Sequence, residues 1–326
     1  MTSPIRTAVV GLGYFGRFHA RHHAASAACD LVAVCDADPD VARALSQEHG
    51  CDAVTDHREL IGRVDAVSLA VPTSLHAAVA HDLMEAGIHL LIEKPVTETV
   101  AEAEQLIELA DRKGLVLQVG HIESFSAVYK ALQARVRRPH YLEATRVAPW
   151  RGRATDVSVV LDLMIHDLDL VMALVDAPVE RVEALGAAVV SSSEDMARAR
   201  LYFADGAIAH VTASRLADAV DRRLRVFEAD TFHECDFGAH VLRRKTLSAG
   251  ADRHGADAIE DETTPIERED SLRNEIEEFA ACVSAGRRPS VDGRRGCEAL
   301  RVAQMIIEDA RARRSRLMRA GEGAAA

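Results

Sequence analysis

Three polar side chains interrupt an otherwise apolar run between residues 159 and 175. The run reads VVLDLMIHDLDLVMALV, and Asp162, His166 and Asp169 stand at positions i, i+4 and i+7. This spacing puts all three on one stripe of an α-helix. A carboxylate or an imidazole in a dry interior costs on the order of several kcal/mol unless a partner replaces its lost hydration. The stripe therefore predicts a polar crevice, unless Asp162 and His166 simply satisfy each other or a helix cap.

A glycine pattern near the N-terminus predicts a phosphate site. Gly11-x-Gly13-x-x-Gly16 directly follows an apolar run and precedes a helical pattern. Gly11 permits a tight turn, Gly13 lets the backbone approach a pyrophosphate, and Gly16 allows close packing of the helix. The helix N-terminus adds free N–H groups and a partial positive charge. This order predicts a dinucleotide-binding βαβ unit, and the alternative is a glycine turn without a ligand.

An acidic residue ends the second apolar run, DLVAVCD. Asp36 stands twenty positions after Gly16. A carboxylate there suits the ribose hydroxyls of NAD and repels the 2′-phosphate of NADP. We therefore expect NAD as the cofactor and NADP less, although nearby arginines could still hold a phosphate. His19 and His23 also lie i, i+4 on the intervening helix, but no third ligand is indicated, so we interpret them as partly exposed and predict no metal site.

A lysine stands at the end of another predicted strand. The stretch HLLIEKPVT ends its apolar run with Glu93, Lys94 and Pro95. The carboxyl ends of parallel strands border the ligand crevice, which would put Lys94 beside the nicotinamide. Pro95 disfavours helical geometry at Lys94 and allows a cis bond. A lysine at a strand end is also commonly a solvated surface group, so the motif alone leaves both interpretations open.

These residues need elements that hold them, and the chain's patterns predict an α/β fold. From residue 5 to about 120, short apolar runs alternate with helical patterns, which indicates a parallel sheet covered on both faces. Residues 180–245 alternate with period two and include an Asp205-Gly206 turn, which predicts an antiparallel sheet with one solvated or subunit-paired face. A charged loop is expected at 245–268, followed by two helices. We predict a doubly wound domain at 1–122 and an α+β domain at 123–326, whose final helix could pack back on the first domain.

Composition excludes several classes of protein. The chain has 326 residues and a net charge of -12, which disfavours nucleic-acid binding. Its six cysteines form no C-x-x-C pair, so reduced thiols in the cytoplasm are expected. No segment resembles a signal peptide or approaches the length of a membrane span. We therefore expect a cytoplasmic protein that acts on small molecules, with no membrane or nucleic-acid partner.

Six stretches together resemble the Gfo/Idh/MocA family of oxidoreductases. They are VVGLGYFGRFHARHH, AVPTSLHAAVA, LLIEKPVTETVAEAEQL, LQVGHIESF, LDLMIHDLDLV and EIEEFAACVSAGRRPSVDG. The resemblance implies a Rossmann domain, then an α+β domain whose large open, mainly antiparallel sheet forms homodimer or homotetramer contacts. It implies NAD(P)-dependent oxidation or reduction of a sugar or cyclitol hydroxyl by Lys94, Asp162 and His166. It also implies further cofactor contacts, namely Tyr14, Phe15, Pro72, His76, Glu93 and Lys94.

Alcohol oxidation requires a base to take the O–H proton as hydride leaves carbon, and a base with a pKa near working pH does this best. An imidazole, with a reference pKa of about 6.5, suits this role better than an ammonium group at about 10.4. We therefore expect His166 to act as the base. Lys94 would hold and polarise the hydroxyl oxygen and could share the proton, while Asp162 would orient the substrate or Lys94.

A basic segment lies between the two predicted domains. In EATRVAPWRGRATDVSVV, Arg146, Arg151 and Arg153 surround Trp150, the only tryptophan of the chain. Guanidinium groups bind phosphate bidentately, and an indole can stack on a base or a sugar. The segment is therefore a candidate site for an anionic substrate, and a solvated basic loop is the alternative.

The substrate class follows from the resemblance. The stretches look most like the subgroup that oxidises the 3-hydroxyl of UDP-N-acetylhexosamines, which also implies His121 as a substrate contact. Relatives often read G-H-x-x-R-F-N-P where this chain reads GHIESFSA from Gly120 to Ala127, so other contacts of that loop do not transfer. A free-sugar, inositol or polyol dehydrogenase, an NAD-using glycoside hydrolase and a non-catalytic cofactor sensor are the alternatives.

Overall fold

The computed structural model describes residues 3–152, 157–248 and 258–324, with side chains of the last helix described as far as residue 319. The chain divides into two compact units. The first comprises Met1–Phe125 and Asp270–Leu300, and the second comprises Ser126–Glu269 and Arg301–Ala326.

The elements of the described residues follow in chain order. The strands are β1 (Ile5–Val10), β2 (Cys29–Cys35), β3 (Asp52–Val54), β4 (Ala66–Leu69), β5 (His89–Glu93), β6 (Leu117–Gly120), β7 (Tyr141–Val147), β8 (Val179–Ala187), β9 (Met196–Phe203), β10 (Ile208–Ser214), β11 (Asp221–Phe227), β12 (Thr231–Asp236), β13 (Val241–Leu247) and β14 (Ile259–Pro265). The helices are α1 (Tyr14–Ala25), α2 (Pro39–His49), α3 (Thr73–Glu85), α4 (Val100–Lys113), α5 (Ala127–Gln133), α6 (Ile165–Val175), α7 (Ser271–Ala285) and α8 (Gly293–Ala324). A π-helical turn at Val160–Met164 leads directly into α6.

The first unit is built on a six-stranded parallel sheet in the order β3-β2-β1-β4-β5-β6. This confirms the doubly wound sheet predicted from the alternating apolar runs. Val9 and Val34 of the sheet pack with Leu45 of α2 in one apolar cluster. A second cluster joins Leu91 of β5 to Phe279 of α7. The strands read as continuous apolar runs because so little of their surface meets water.

Local sequence signals set the ends of the helices. The Asp38 side chain accepts the N–H of Asp40 at 2.9 Å and so caps α2. Thr99 and Glu102 form a capping box at the start of α4, which ends at Gly114 in the left-handed region. Side-chain caps satisfy N–H groups that a helix leaves without partners, which fixes where these two helices begin.

The second unit is built on an eight-stranded sheet in the order β14-β13-β12-β11-β7-β10-β9-β8. All its pairs are antiparallel except that of β7 with β10. The predicted hairpin turn joins β9 to β10, where Gly206 has φ +91° and Ala207 N–H donates to Asp205 Oδ1 at 3.0 Å. Alternate residues of the central strands pack on α5, α6 and part of α8, and the other face is partly exposed.

Two features differ from the sequence-based expectation. Residues 259–265, expected within a charged loop, form β14 and pair with β13, because backbone hydrogen bonds to a neighbouring strand do not require apolar side chains. Residues 270–300 belong to the first unit, whereas the sequence pattern assigned residues 123–326 to the second and allowed only the final helix to pack back on the first. The reason is the apolar face of α7, where Ile276 and Phe279 are fully buried in the first unit's core.

Candidate active site

The three glycines of the N-terminal loop meet different constraints. Gly11 has φ +87°, and a Cβ there would lie 2.6 Å from the carbonyl carbon of Ala70. A Cβ on Gly16 would lie 1.8 Å from the carbonyl oxygen of Gly11, so α1 can approach the loop only without a side chain. At Gly13, among the described residues, no heavy atom outside its own turn comes within 4 Å of the Cβ position. Packing does not require glycine at 13, and an open backbone is what a pyrophosphate needs.

The start of α1 supplies the donors for such a group. The helix begins directly after Gly13, and no side chain caps its first turn. Its first N–H groups therefore remain available to an anion, with the helix dipole in the favourable direction. The rings of Tyr14 and Phe15 are 68% and 43% exposed beside this turn. Loop and helix together fit the phosphates of a dinucleotide.

Asp36 lies against the same loop. Its Oδ2 accepts the Leu12 N–H at 2.7 Å, and its Oδ1 accepts the Asp38 N–H at 3.0 Å. The half-buried carboxylate is therefore held at the carboxyl end of β2, next to the glycine turn. This position suits hydrogen bonds to ribose hydroxyls.

The turn that carries Lys94 is anchored to α1. β5 ends at Glu93, and the bond between Lys94 and Pro95 is cis. Glu93 Oε1 lies 2.9 Å from His19 Nε2, and Glu93 Oε2 accepts the Lys94 N–H at 3.2 Å. Burial acts to raise the pKa of Glu93, but His19 and Lys94 outweigh it and lower that pKa below its ordinary value. The half-buried Lys94 therefore starts from a fixed backbone.

The histidines of α1 are more buried than the sequence suggested. His19 and His23 are 1% and 0% exposed, so their interpretation as partly exposed was wrong. Their ring nitrogens do not converge, since His19 binds Glu93 and His23 Nε2 lies 2.8 Å from Ser68 Oγ. The ligand atoms of His19, Glu93 and Glu275 lie within 4.8 Å of one another. We interpret this group as the anchor of the Lys94 turn, because its His19–Glu93 bond joins α1 to β5.

His76 supports the Lys94 turn from α3. Pro72 precedes that helix, and His76 is 1% exposed. Its Nδ1 lies 3.0 Å from the Pro95 carbonyl oxygen, and its Nε2 lies 2.9 Å from that of Val71. Burial lowers the pKa of His76, while these carbonyls act in the opposite direction. Both ring nitrogens face the backbone, which argues for a supporting role and against direct contact with the cofactor.

The loop after β6 contains His121 and is contacted by Arg295, a residue that the sequence patterns did not indicate. His121 is 1% exposed, and its carbonyl accepts the Ser124 N–H at 3.0 Å. Arg295 of α8 donates from Nη2 to Ser124 Oγ at 2.6 Å. A guanidinium group thus reaches the loop at the position where relatives often carry arginine. No spacing rule could reveal this, because the two residues are 171 positions apart.

In the second unit, the polar stripe lies where the helix changes its winding. Asp162 belongs to the π turn and His166 to the first turn of α6. Both side chains are partly exposed, whereas Asp169 is fully buried. The spacing argument assumed 3.6 residues per turn, which does not hold through the π turn. Such turns within helices are frequent at functional sites.

Arg146 is committed to a buried ion pair, which argues against its predicted role as a substrate ligand. Its Nε donates to Asp167 Oδ2 at 3.0 Å and its Nη2 to Asp167 Oδ1 at 2.8 Å. The two side chains are 4% and 3% exposed. Turning Arg146 toward a substrate would break a buried bidentate ion pair, and that costs free energy. Arg146 therefore links β7 to α6.

The segment after β7 keeps its other described candidates at the surface. Trp150 is 39% exposed and Arg151 is exposed, while Arg153 lies outside the described residues. Arg215, which the sequence patterns did not single out, has its Cζ 5.6 Å from the centre of the Trp150 ring. Its ion-pair partner Asp195 is twenty positions away, directly before β9, a separation that carries no local signal.

Each unit thus gathers part of the predicted set. The first unit holds the glycine loop, Asp36 and Lys94 together through the Leu12–Asp36 and His19–Glu93 hydrogen bonds. The second unit carries Asp162 and His166 on one helical segment and Trp150 on the loop after β7. In the described part of the chain, every helix is too short or too polar to cross a membrane. A dinucleotide-binding parallel sheet joined to a mainly antiparallel unit defines an NAD-binding oxidoreductase of two units.

Comparison with known proteins specifies the class. Residues 5–121 match the family described as "Oxidoreductase family, NAD-binding Rossmann fold", and residues 128–229 match the "GFO/IDH/MocA C-terminal domain". UDP-N-acetylglucosamine 3-dehydrogenase from Acidithiobacillus ferrooxidans is 39% identical over 303 residues, covering 93% of this chain and 96% of that protein. The chain belongs to the Gfo/Idh/MocA family of NAD-binding oxidoreductases.

Two further comparisons describe the range of relatives. A solved structure of the same Acidithiobacillus enzyme superimposes with a TM-score of 0.90, at 38% identity, covering 95% of this chain and 99% of that one. Myo-inositol 2-dehydrogenase from Thermotoga maritima is 28% identical over 316 residues, covering 91% of this chain and 93% of the relative. Relatives of similar overall length thus include enzymes named for a nucleotide sugar and for a cyclitol.

Proposed function

We propose that this chain is an NAD-dependent dehydrogenase that oxidises the 3-hydroxyl of a UDP-N-acetylhexosamine. The observation that carries the proposal is the full-length likeness to UDP-N-acetylglucosamine 3-dehydrogenase at 39% identity. The exposed Trp150 and Arg151, on one loop after β7, support a nucleotide-bearing substrate. Arg146 is no longer part of this proposed clamp, since Asp167 occupies its guanidinium.

We infer roles for the three catalytic candidates from their chemistry and exposure. NAD, when bound, supplies the carbon that accepts the hydride. His166, partly exposed at the start of α6, takes the hydroxyl proton. Lys94, whose backbone Glu93 fixes, holds the hydroxyl oxygen and stabilises its developing negative charge. Asp162 orients the substrate.

A free cyclitol is the second candidate substrate. The likeness to myo-inositol 2-dehydrogenase over 91% of this chain favours it. Lys94, Asp162 and His166 would perform the same chemistry on a polyol, because a secondary hydroxyl is the reacting group in both. The two candidates differ in whether Trp150 and Arg151 contribute to binding.

Absorbance of reduced nicotinamide separates these candidates. The purified protein is mixed with NAD and, in separate reactions, with UDP-N-acetylglucosamine, myo-inositol or glucose. A rise with the nucleotide sugar and none with the polyols supports the proposal. A rise with myo-inositol alone replaces the substrate but keeps the catalytic set. Glycoside cleavage without net reduction would indicate hydrolysis, and NAD binding without turnover of any substrate would indicate a cofactor sensor.

We further propose that the open face of the second sheet joins copies of the chain into a homodimer or homotetramer. A row of partly exposed side chains crosses five strands in register, consisting of Tyr202, Ile208, Tyr141, Phe227 and Phe232. The Phe227 ring lies 5.5 Å from that of Tyr141 and 4.9 Å from that of Phe232. We place the enzyme in the cytoplasm, where NAD is available and its six free thiols stay reduced.

A further inference from the structure

Trp150 stands on a loop whose start is hydrogen-bonded to a neighbouring segment. Ala148 N–H donates to the Ser214 carbonyl at 2.9 Å, and Ala217 N–H donates to the Ala148 carbonyl at 3.2 Å. These bonds extend the pairing of β7 with β10 to within two residues of the indole. The ring itself is 39% exposed, so part of its surface is open to a ligand.

Arg215 contacts two residues of the basic segment that follows β7, Trp150 and Val157. Its Cζ lies 5.6 Å from the centre of the Trp150 ring, and its Nη2 donates to the Val157 carbonyl at 2.9 Å. The Arg215 side chain is only 5% exposed. A guanidinium group over an indole is attracted to the ring, and the attraction is stronger where water is excluded.

The guanidinium group of Arg215 is also held by hydrogen bonds to Asp195 and two serines. Its Nε donates to Asp195 Oδ1 at 3.0 Å, and its Nη2 lies 3.2 Å from Ser191 Oγ and from Ser193 Oγ. Asp195 is fully buried, and its Oδ2 accepts three backbone N–H groups of the preceding loop, the first from Val189 at 2.6 Å. The plane of the Arg215 fork is therefore set by a buried network before any ligand binds.

Asp195 remains charged in this network. Burial acts to raise the pKa of Asp195, but the Ser191 hydroxyl and the N–H groups of Val190, Val189 and Ser191 outweigh it and lower that pKa. A buried carboxylate with so many donors fixes the guanidinium group that faces it.

We propose that Arg215 is a positioning residue that holds the Trp150 indole as a stacking surface for the pyrimidine base of a nucleotide substrate. One part of the indole faces the buried cation, and the exposed part is left for a second planar group. Stacking on an aromatic ring suits any base, because every base has a π face. This inference rests on the proposed function, whose substrate carries uracil, and adds a residue that sets affinity without contacting the sugar.

Because Trp150 is the only tryptophan, fluorescence excited at a wavelength that tyrosine does not absorb reports on this ring alone. The test compares the native protein with Arg215→Lys, which keeps the positive charge but loses the planar guanidinium group. Arg181→Lys is the matched control. The Arg181 Cζ also lies over an aromatic ring, 3.7 Å from the centre of the Tyr202 ring. Arg181 belongs to β8, which is three strands away from β7 in the same sheet. Acrylamide quenching and anisotropy are measured without ligand, and UDP is then titrated while the emission is followed.

We expect Arg215→Lys to increase acrylamide quenching about twofold and to weaken UDP binding about tenfold, with Arg181→Lys like the native protein. With UDP-N-acetylglucosamine as substrate, the variant's KM should rise about tenfold while kcat stays within about threefold. Unchanged quenching and unchanged UDP affinity in Arg215→Lys would overturn the proposal. A fall in kcat as large as the rise in KM would also overturn it, because that result indicates general damage to the protein.

Failure of the proposed function gives a different result. If the native protein oxidises only polyols, UDP leaves Trp150 emission unchanged, and base stacking is refuted along with the nucleotide-sugar substrate. If the native protein oxidises UDP-N-acetylglucosamine but Arg215→Lys has a native KM, the function stands and this inference alone falls. Trp150→Leu, with UDP binding followed by calorimetry, provides a second variant that leaves the Arg215–Asp195 pair intact. It should lose UDP affinity about tenfold, and native affinity would overturn the stacking role.

Discussion

At the scale of single residues, Asp36 shapes the cofactor loop and also sets its charge. Its two oxygens accept N–H groups of Leu12 and Asp38, and we propose that the same carboxylate binds the ribose of NAD. The negative charge is the part that disfavours a 2′-phosphate. The hydrogen bonds alone would not discriminate between the two cofactors.

Asp36→Asn should therefore relax cofactor selection without destroying the loop. The amide oxygen can still accept the Leu12 N–H, the bond from the Asp38 N–H is lost, and the repulsion of a phosphate is removed. We expect the ratio of kcat/KM for NADP to that for NAD to rise about tenfold. Steady-state rates with both cofactors check this, with the exposed Asp40→Asn of α2 as the control. A ratio equal to that of the native protein would mean that Asp36 does not face the ribose.

Lys94 is the residue whose loss should affect chemistry most clearly. Lys94→Met removes the positive charge from the end of β5 while Glu93 and His19 still anchor the turn. We expect kcat to fall about a thousandfold and NAD affinity to stay near the native value, because the glycine loop and Asp36 are unchanged. Rates and NAD titrations measure the two effects. Lys113→Met, at a surface pair with Glu85, is the control, and native turnover in Lys94→Met would remove lysine from the mechanism.

At the scale of elements, the turn from β1 into α1 contains two glycines that packing requires and a third, Gly13, that we propose faces the cofactor. A Cβ on Gly16 would collide with the Gly11 carbonyl, whereas one on Gly13 meets open space. Gly13→Ala should keep the native melting temperature but weaken NAD binding about tenfold.

Gly16→Ala should behave in the opposite sense and lose about 3 kcal/mol of unfolding free energy, because the helix must move away from the loop. Thermal unfolding and NAD titration of the two variants side by side provide the measurement. Equal loss of stability in both would show that position 13 is also constrained by packing.

The contact of α1 with β4 should make the free energy of unfolding depend on pH. Burial lowers the pKa of His23 to about 3, and the imidazole bonds to Ser68 in the sheet. A histidine in the unfolded chain titrates at about 6.5, so below that pH the unfolded state binds a proton that the folded state does not. Stability from the neutral imidazole is therefore complete above about pH 6.5 and is lost progressively toward pH 3.

His23→Gln tests this dependence, because an amide keeps a partner for Ser68 and does not titrate. Between about pH 7 and about pH 5, the native protein should lose about 2 kcal/mol more unfolding free energy than the variant does. Urea unfolding at both pH values measures this, with the exposed His81→Gln as the control. Parallel losses in the native protein and His23→Gln would place the pH dependence elsewhere.

At the scale of the whole molecule, the open sheet face is the feature that a single chain leaves unexplained. The net charge of -12 favours separation of copies, so an interface has to offer apolar area to overcome it. The row that includes Phe227 and Tyr141 offers such area at the middle of the sheet.

Phe227→Glu should shift the protein to a smaller species. The side chain is 36% exposed, so the chain should still fold, while a carboxylate on the proposed interface repels its symmetry-related copy. Light scattering after gel filtration gives the mass of each form. Ile61→Glu, at an apolar residue of the first unit that is 45% exposed, is the control. A native mass that already equals one chain, or one unchanged by Phe227→Glu, would exclude this face as the interface.

Several features of this protein were determined by the sequence itself. The glycine spacing, the apolar runs and the Asp205-Gly206 turn act within a few residues, so the parallel sheet, the tight glycine turn and the hairpin could be predicted. The resemblance of six stretches, distributed along the chain, identified the family that the comparisons confirm.

Only the tertiary structure decided which charged groups are committed to partners. Arg146 reads as an anion ligand until Asp167 is found opposite it, and Arg215 carries no signal until it lies under Trp150. The structure places Asp162 in a π turn ahead of α6, which helical spacing did not predict, and the apolar face of α7 places residues 270–300 in the first unit. The physical reason is the same in each case. Burial and pairing depend on contacts between residues far apart in the chain, and local pattern carries no information about them.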